Sequence, residues 1–382
     1  MNERQGVKSA AGRIVSIDVL RGFDMLLLCG GAAVILKFLQ WQCVGGLPGW
    51  LEGQFVHAEW GGAFTCWDLV MPLFIFITGA SMPSAFAKYR RKGGEHWRRV
   101  TWWRVLRRVL LLFVLGMLVQ GRLASASPER MSLFCNTLQA IAEGYFIAAL
   151  VLMFSARLRT KLLVSVACMV LYWVLLRFVP YSGQPGGLFE PENNLAIYVD
   201  CLLQGDWQDG TSYSWILTAF SFGVLTLMGC ACGQLMAEYG GRRAVLWMTG
   251  GGVFCLVTAC LLQFDTPLIK HIYTTTCVLW AGGFCVLLMA LFHLLFDCCG
   301  AVFSRVAYPL QVVGCNALLA YLLTEIHGPC GNSLWWAATH PLLYGLAEQA
   351  GEGGAFVHAL LELILLWLLL WVLYRRKAFL RV

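Results

Sequence analysis

The stretch His57-Ala58-Glu59-Trp60, followed by Asp68, holds the ionisable residues best suited to proton transfer. An unperturbed imidazole titrates near ~6.5 and can accept a proton at neutral pH. A carboxylate such as Asp68 or Glu59 can hold the tautomer of such a base. His57 is therefore a candidate general base, although a histidine in a loop is more often only solvated.

Arginines at helical spacing are the second group with recognisable chemistry. Asp18 and Arg21 are three residues apart, so on a helix they share a face and can form an ion pair. Arg104 and Arg108 are four residues apart, with Arg107 beside them. Arginine forks suit phosphate recognition. The alternatives are a simple ion pair at a helix start and the ordinary positive charge at a membrane surface.

Polar residues also lie within or next to apolar stretches, where ionisable groups are costly and usually functional. They are Asn136 and Gln139 in one stretch, Asn316 and Glu325 in another, and Lys270 before a third. Together with the candidate base, they could line one polar cavity that opens to the outside. The alternative is interhelical hydrogen bonding, which uses the same residue types.

The composition indicates which elements must position these residues. Of 382 residues, 59% are hydrophobic and only 13% are charged, and the mean hydropathy is +0.68. Soluble domains carry roughly 25% charged residues. A soluble globular fold, a disordered chain and a disulfide-stapled mini-fold are therefore excluded. The net charge of +7 is spread in a way that argues against a nucleic-acid partner.

Apolar windows of the length that crosses a bilayer recur along the whole chain, since a span needs about 20 mostly apolar residues. They lie at 22–40, 68–87, 105–121, 134–154, 162–179, 215–237, 244–263, 274–296, 308–326 and 354–374. The sequence therefore predicts an all-α polytopic membrane protein with about ten transmembrane helices. The prediction treats 1–382 as a single transmembrane domain.

Lysine and arginine set the orientation, because they concentrate in cytoplasmic loops. Most of the 28 cationic residues fall on one side of the ten windows, which places both termini in the cytoplasm, with 1–15 as a tail. No cleavable signal peptide is visible. The loops 41–66, 180–214 and 327–353 then face outward. Their aromatic and acidic residues suit a cationic or sugar ligand, or form only an interfacial tryptophan belt and solvated loops.

Cysteine usage does not indicate a scaffold. Most of the 16 cysteines lie within the apolar windows, where cysteine behaves as a small hydrophobic residue. Cys43 and Cys66 flank the first outer loop and could pair in an oxidising compartment. Zinc-type cysteine spacing is absent, so we predict no metal. The chain also shows no internal repeat of the kind that marks transporter halves.

Several motifs carry a resemblance to a known family. They are Ser-Ile-Asp-Val-Leu-Arg-Gly-Phe-Asp-Met at 16–25, His-Ala-Glu-Trp at 57–60, Asp-Leu-Val-Met-Pro-Leu-Phe-Ile-Phe-Ile-Thr-Gly at 68–79, and the stretches 107–116, 136–142, 214–218, 270–274 and 314–321. The chain resembles the heparan-alpha-glucosaminide N-acetyltransferase family, in particular its bacterial transmembrane glucosamine N-acetyltransferase branch. The loop motif followed by the Asp-Leu-x-x-Pro helix is the specific part of the match.

The resemblance implies transfer of acetyl from cytoplasmic acetyl-CoA to a glucosamine amine on the periplasmic side of a bacterial inner membrane, by a homodimer. It implies that His57 is catalytic. We expect Glu59 or Asp68 to orient His57. An amide, Asn136 or Asn316, would stabilise the oxyanion.

The remaining predicted residues bind the two substrates. Arg21, Arg104, Arg107 and Arg108, with Asp18, would hold the CoA phosphates. The residues expected to bind the sugar are Trp60, Gln139, Lys270 and Glu325.

Some features depart from the family pattern and leave other functions open. An asparagine that the animal relatives carry is replaced by Ala32, and the interval from His57 to Asp68 is one residue longer than usual. A covalent acetyl-histidine intermediate is as compatible with these residues as direct transfer. The competing classes are a sugar or amine transporter and a membrane O-acyltransferase that acts on glycan hydroxyls.

Overall fold

The computed structural model describes residues 14–43, 46–92, 96–120, 123, 131–208, 210–327 and 332–380. The predicted cytoplasmic tail 1–15 therefore lies almost entirely outside the described residues. Within them the chain is helical, with isolated β-bridges at Tyr181–Gln184 and His327–Ser333. This confirms the predicted all-α class.

Fifteen α-helices make up the described fold. They are α1 (Val15–Leu26), α2 (Ala32–Gln42), α3 (Gly49–Glu52), α4 (Cys66–Lys92), α5 (Trp97–Val119), α6 (Thr137–Phe154), α7 (Leu158–Phe178), α8 (Leu195–Gln204), α9 (Ala219–Glu238), α10 (Gly241–Leu262), α11 (Thr275–Phe292), α12 (Gly300–Cys315), α13 (Ala317–Glu325), α14 (Leu334–Gln349) and α15 (Gly354–Arg375). Two π-helical segments, Leu27–Gly31 and His293–Cys298, continue α1 and α11.

Among the described residues, eight helical segments are long and apolar enough to cross a membrane. A ninth is counted if α12 and α13, which meet at an angle of 64°, form one broken span. The chain is therefore a polytopic membrane protein. The one predicted window outside this set is 105–121, which lies in helix α5, whose first half carries Arg98, Arg99, Arg104, Arg107 and Arg108. This charge keeps α5 outside the apolar set, and the count of ten stays a prediction.

The described chain divides into two compact units. The first unit holds the residues up to 57, residues 65–70 and the residues from 292, and the second unit holds residues 58–64 and 71–291. The helices α1 to α3 and α12 to α15 belong to the first unit. The helices α5 to α10, nearly all of α11 and all but the start of α4 belong to the second.

Glycines allow α9 to form the packed centre of the second unit, where it contacts α6, α7 and α10. A Cβ at Gly229 would lie 1.9 Å from the carbonyl oxygen of Phe76 on α4. A Cβ at Gly79 would lie 2.0 Å from the carbonyl oxygen of Thr226 on α9. Small residues of this kind let membrane helices approach at backbone distance.

The outward faces of the second unit are apolar. Leu163 on α7 and Phe254 on α10 are each 70% exposed, and Leu246 on α10 is 74% exposed. In water such faces would be unfavourable, whereas lipid tails solvate them. This pattern agrees with the membrane assignment from composition.

In the first unit, α1 packs on α12 through two glycines. A Cβ at Gly22 would lie 1.8 Å from the carbonyl oxygen of Leu310, and a Cβ at Gly314 would lie 2.2 Å from that of Asp18. The π-helical segment after α1 contains Gly30 with φ of +129°, a conformation that L side chains rarely adopt. Helices α14 and α15 form an antiparallel hairpin whose α15 also contacts α2.

The three predicted outer loops are partly helical. Segment 180–214 contains α8, which begins where the Asn194 side chain accepts a hydrogen bond from the Ile197 amide at 2.8 Å. Segment 327–353 contains α14, and segment 41–66 contains the short α3. Cys43 and Cys66, which flank the first of these segments, are both free thiols.

Candidate active site

The N-terminus of α4 is built on the sequence Thr65-Cys66-Trp67-Asp68. The amide of Asp68 donates to the Thr65 hydroxyl oxygen at 3.2 Å, and the amide of Thr65 donates to Oδ2 of Asp68 at 3.1 Å. This reciprocal pair is a capping box, which satisfies the exposed amides at the start of a helix. It also fixes the Asp68 carboxylate, because that side chain is one of the two caps.

The loop before α4 is tied to the same helix start. The Thr65 hydroxyl donates to the carbonyl oxygen of Val56 at 2.9 Å, and the amide of Cys66 donates to Oε1 of Gln54 at 3.1 Å. His57 follows Val56 directly, so these two bonds set the position of its backbone. The ring of Trp67 lies 6.3 Å from the His57 ring, centroid to centroid.

His57 and Asp68 are in direct contact. Nδ1 of His57 lies 3.1 Å from Oδ1 of Asp68. The Asp68 side chain is completely buried, while the His57 side chain is 51% exposed. An ionised carboxylate only accepts hydrogen bonds, so Nδ1 of His57 carries the hydrogen and Nε2 is the basic nitrogen. The N-terminal end of α4 also favours the negative charge on Asp68.

The other residues of the loop motif lie in the second unit. Glu59 is exposed, and its carbonyl oxygen accepts from the Gly62 amide at 2.9 Å in a tight turn. The Trp60 indole donates to the carbonyl oxygen of Phe189 at 2.8 Å. The Trp60 ring also lies 5.1 Å from the ring of His271.

An aromatic cluster therefore surrounds His271 in the second unit. The ring of Tyr213 stacks on the ring of His271, with 4.6 Å between the two centroids, and the Trp60 ring is also a neighbour of the His271 ring. Lys270 is buried, and its carbonyl oxygen accepts from the Tyr273 amide at 3.0 Å in the turn before α11. Sequence reasoning missed Tyr213 because it lies far from His271 in the chain and no local pattern joins them.

Asn136 and Gln139 form the capping box of α6. Oδ1 of Asn136 accepts from the Leu138 amide at 2.8 Å, and Nδ2 donates to Oε1 of Gln120 at 2.9 Å. Oε1 of Gln139 accepts from the amides of Cys135 at 2.8 Å and Asn136 at 3.2 Å. The Asn136 backbone is extended, so this residue precedes the helix and does not lie inside it. Both amides serve the fold.

Asn316 lies at the break between α12 and α13. Its Nδ2 donates to the carbonyl oxygen of Ala378, and its Oδ1 accepts from the Leu380 amide, each at 3.1 Å. This side chain holds the segment that follows α15. Glu325 ends α13, and its carbonyl oxygen lies 2.8 Å from Nδ1 of His327.

Three of the four predicted phosphate-binding arginines have partners within the protein. In the first unit, Arg21 pairs with Asp18 at 3.2 Å. In the second unit, the guanidinium of Arg108 lies 4.4 Å from the centre of the Tyr145 ring, and that of Arg104 lies 4.8 Å from the centre of the Tyr89 ring. Arg107 is exposed. The ion pair expected as the alternative for Arg21 is therefore present.

No protein-family model matches the chain. Its sequence is similar to the human heparan-alpha-glucosaminide N-acetyltransferase, with 21% identity over 430 aligned positions that cover 97% of this chain. The mouse heparan-alpha-glucosaminide N-acetyltransferase is similar to the same degree, with 21% identity over 98% of this chain. This is a distant family relationship. The chain spans about 60% of the length of these curated relatives.

Proposed function

We propose that the chain is a transmembrane N-acetyltransferase that moves acetyl from cytoplasmic acetyl-CoA to the amine of glucosamine, or of a glucosamine-containing sugar, on the outer side. The observation that carries the proposal is the contact between Nδ1 of the half-exposed His57 and the buried carboxylate of Asp68. The names of the human and mouse relatives, which match nearly the whole chain, support the reaction class.

His57 acts as the general base in this proposal. A sugar ammonium must lose a proton before its nitrogen can attack, and Nε2 of His57 accepts that proton. The amine lone pair then forms the C–N bond at the thioester carbonyl. The C–S bond breaks, its electron pair leaves on the CoA sulfur, and the second proton of the attacking nitrogen neutralises that thiolate. His57 returns its own proton to water.

Asp68 acts through His57. Its carboxylate holds the ring in the Nδ1–H tautomer and offsets the positive charge that develops on the imidazole during proton transfer. The capping box holds Asp68 through hydrogen bonds within the protein itself, so the base is preorganised. Asp68 is a positioning residue for His57.

The binding roles complete the proposal. Arg21, Arg104, Arg107 and Arg108 would hold the CoA phosphates, and Trp60, Lys270 and Glu325 would contact the sugar. The proposal assigns no sugar contact to Gln139, because its side-chain oxygen and nitrogen both bond within the fold. The proposal assigns no oxyanion role to Asn136 or Asn316, because the amides of both already bond within the fold. A homodimer in a bacterial inner membrane is part of the same proposal.

The test uses the full chain, purified and reconstituted in proteoliposomes with acetyl-CoA and labelled glucosamine. Formation of N-acetylglucosamine, measured by mass spectrometry, supports the enzyme. Uptake of unmodified sugar would instead indicate a transporter, and acetylation of amine-free sugars would indicate an O-acyltransferase.

A variant of the base sharpens the test. His57→Ala is expected to lose roughly 10²–10⁴ in rate while acetyl-CoA still binds. The matched control is His96→Gln, which changes an exposed histidine at the start of α5 and should keep full activity. Normal turnover by His57→Ala would refute the role of His57.

A further inference from the structure

Asp24 is a buried carboxylate that the proposed acetyl transfer does not use. Its side chain on α1 is fully buried, and neither carboxylate oxygen has a hydrogen-bond partner among the described residues. Arg21, the cation three residues earlier, pairs with Asp18 at 3.2 Å. Buried charges in proteins are paired or coordinate metal ions, and ionisable groups inside a membrane span mark functional sites. Asp24 therefore calls for a partner that no hydrogen bond of the described fold supplies.

Asp24 lies deep within its span. The segment Val15–Gln42 is one candidate span of 28 residues. Asp24 follows the first residue of α1 by two and a half helical turns, or about 14 Å along the helix axis. The hydrocarbon core of a bilayer is about 30 Å thick. The carboxylate is therefore near the middle of the membrane.

The helix that carries Asp24 breaks directly beyond it. The π-helical segment Leu27–Gly31 contains non-helical torsion angles at Cys29 and Gly30, and α2 begins after it. Non-helical backbone at membrane depth is tolerated only where it is buried in protein or lines a cavity. In membrane transporters, backbone carbonyl oxygens at such breaks coordinate Na⁺ or protons.

Helix α13 ends at the same break. It starts near the beginning of α1, since a Cβ at Gly314, just before α13, would lie 2.2 Å from the carbonyl oxygen of Asp18. Its 9 residues extend about 13 Å, which is less than half of the hydrocarbon core. Near its C-terminal end, the Thr324 hydroxyl donates to Sγ of Cys29 at 3.4 Å. Helix α13 is therefore a half-helix whose C-terminus lies inside the membrane.

Negative charge gathers where these two half-helices end. Asp24 and Glu325, the last residue of α13, are both close enough to Cys29 for their charges to act on its thiol. The last carbonyl groups of a helix have no intrahelical partner and give the C-terminus a partial negative charge. The end of α13 adds this charge to that of the two carboxylates. Such an arrangement in a medium of low dielectric constant favours a cation.

The chemistry of the surrounding groups favours a small alkali cation. They are carboxylate, hydroxyl and backbone oxygens, which are ligands for hard cations, whereas zinc and copper select imidazole and thiolate. The described residues contain no group of three or more His, Cys, Asp or Glu side chains suited to a metal ion, which argues against a multivalent ion. Na⁺ needs fewer charged ligands, because neutral carbonyl oxygens at a helix break can supply most of its coordination.

We propose that the break between α1 and α2 binds Na⁺, held by the carboxylate of Asp24, by backbone carbonyl oxygens of the break and by the C-terminal end of α13. The ion offsets the charge of Asp24 and ties the ends of two half-helices together. Neither acetyl-CoA nor the sugar takes part in this site. The proposal therefore goes beyond acetyl transfer and stands or falls separately from it.

The experiment is thermal unfolding of the purified full chain in lipid nanodiscs, followed by tryptophan fluorescence, as NaCl replaces choline chloride at constant ionic strength. A ligand that binds only the folded state shifts the folding equilibrium by a factor of 1 + [L]/Kd, which is about elevenfold at ten times Kd. The Tm should therefore rise by roughly 2–4 °C in sodium, and KCl should raise it less. An equal Tm in sodium, potassium and choline would overturn the proposal.

A pair of matched variants assigns the effect to Asp24. Asp24→Asn removes the negative charge and keeps the size of the side chain, so the sodium-dependent rise in Tm should disappear. The control is Asp206→Asn, which neutralises an exposed aspartate in the segment Gly205–Trp207 of the second unit and should keep the full sodium effect. The same sodium effect in Asp24→Asn and in the wild type would contradict the assignment.

Direct binding to the wild type keeps the test independent of any folding defect in the variant. Scintillation-proximity measurement with ²²Na⁺ should show saturable binding that unlabelled Na⁺ displaces and K⁺ displaces poorly. The opposing outcome is that Asp24 binds a proton. In that case stability would rise as the pH falls, equally in sodium and choline, without saturable ²²Na⁺ binding, and the sodium site would be refuted.

Discussion

The substitution Asp68→Asn tests the candidate site at a single hydrogen atom. Oδ2 of Asp68 accepts from the Thr65 amide at 3.1 Å, and Oδ1 faces Nδ1 of His57 at 3.1 Å. In the variant, the side-chain oxygen must stay against the Thr65 N–H, because an NH₂ group there would face another donor. The NH₂ then points to His57, whose Nδ1 must accept. The ring hydrogen moves to Nε2, and the base is lost.

The size of the effect follows from the burial of Asp68. Rotating the new amide would restore the active tautomer but would set two donors against each other, each costing about 1–3 kcal/mol when unsatisfied and buried. The Asp68 side chain is fully buried, so solvent does not relieve this cost at the new amide. At about 1.36 kcal/mol per factor of ten, a total of roughly 2–6 kcal/mol for the two donors leaves the active tautomer in about 3 × 10⁻² to 4 × 10⁻⁵ of the molecules. The rate of acetyl transfer should fall by about the same factor.

The assay is acetyl transfer in proteoliposomes, with the tautomer of His57 read by ¹⁵N NMR in the same samples. Asp68→Asn preserves the size of the side chain and its acceptor for the Thr65 amide, so the thermal unfolding of the variant should stay close to that of the wild type. A variant that kept the Nδ1–H tautomer, or turned over within about twofold of the wild type, would refute the reasoning.

Three further predictions concern the supports of the fold and the site. Thr65→Val removes the hydroxyl that donates to the Val56 carbonyl oxygen and accepts from the Asp68 amide. The kcat of acetyl transfer should therefore fall about tenfold, while acetyl-CoA binding stays unchanged. Thr65→Ser keeps the hydroxyl and should restore activity. Gly229→Ala places a Cβ 1.9 Å from a backbone oxygen, so thermal unfolding should show a loss of about 1–3 kcal/mol. Gly250→Ala, with open space on α10, should instead raise stability by up to about 1 kcal/mol, because alanine favours the helix over glycine. Asp265 accepts hydrogen bonds from Trp173 and Thr266 and pairs with Arg177, which together hold its pKa below the ordinary value. Asp265→Asn should therefore cost at most about 1 kcal/mol at neutral pH, and this difference should vanish as the pH falls through that lowered pKa.

The contact between His57 and Asp68 was readable from the sequence because both partners belong to one short motif. The Thr-x-x-Asp pattern that fixes the carboxylate was equally readable as a helix start, although only its aspartate was singled out. Local patterns of this kind predict the structure because the amides at a helix N-terminus must be satisfied by side chains that are close in the sequence. The apolar windows were readable for a similar reason, since bilayer thickness sets their length.

Sequence reasoning placed some polar residues incorrectly because it did not consider helix capping or contacts between distant segments. Asn136 and Gln139 were assigned to the apolar window 134–154 from hydropathy alone, but Asn-x-x-Gln is itself a capping pattern: Asn136 precedes the helix and Gln139 lies in its first turn. The position of Asn316 at the break between α12 and α13 depends on the segment after α15. Contacts between distant segments leave no periodic signal, so neither this bond nor the contact between Thr324 and Cys29 could be derived.

The first unit contains two histidine–aspartate pairs that differ in how exposed the histidine ring is, and this difference bears on which of them can act on a substrate. Asp68 caps α4 and contacts His57, while Asp297 accepts from the amides of Val15 and Ser16 at the start of α1 and lies 2.8 Å from Nδ1 of His293. Each carboxylate thus serves a helix N-terminus and an imidazole at once. The His293 side chain is only 5% exposed, against 51% for His57. Pairing holds the ring in both cases, but a proton can be exchanged with a substrate only where the ring is open, and this favours His57 as the base.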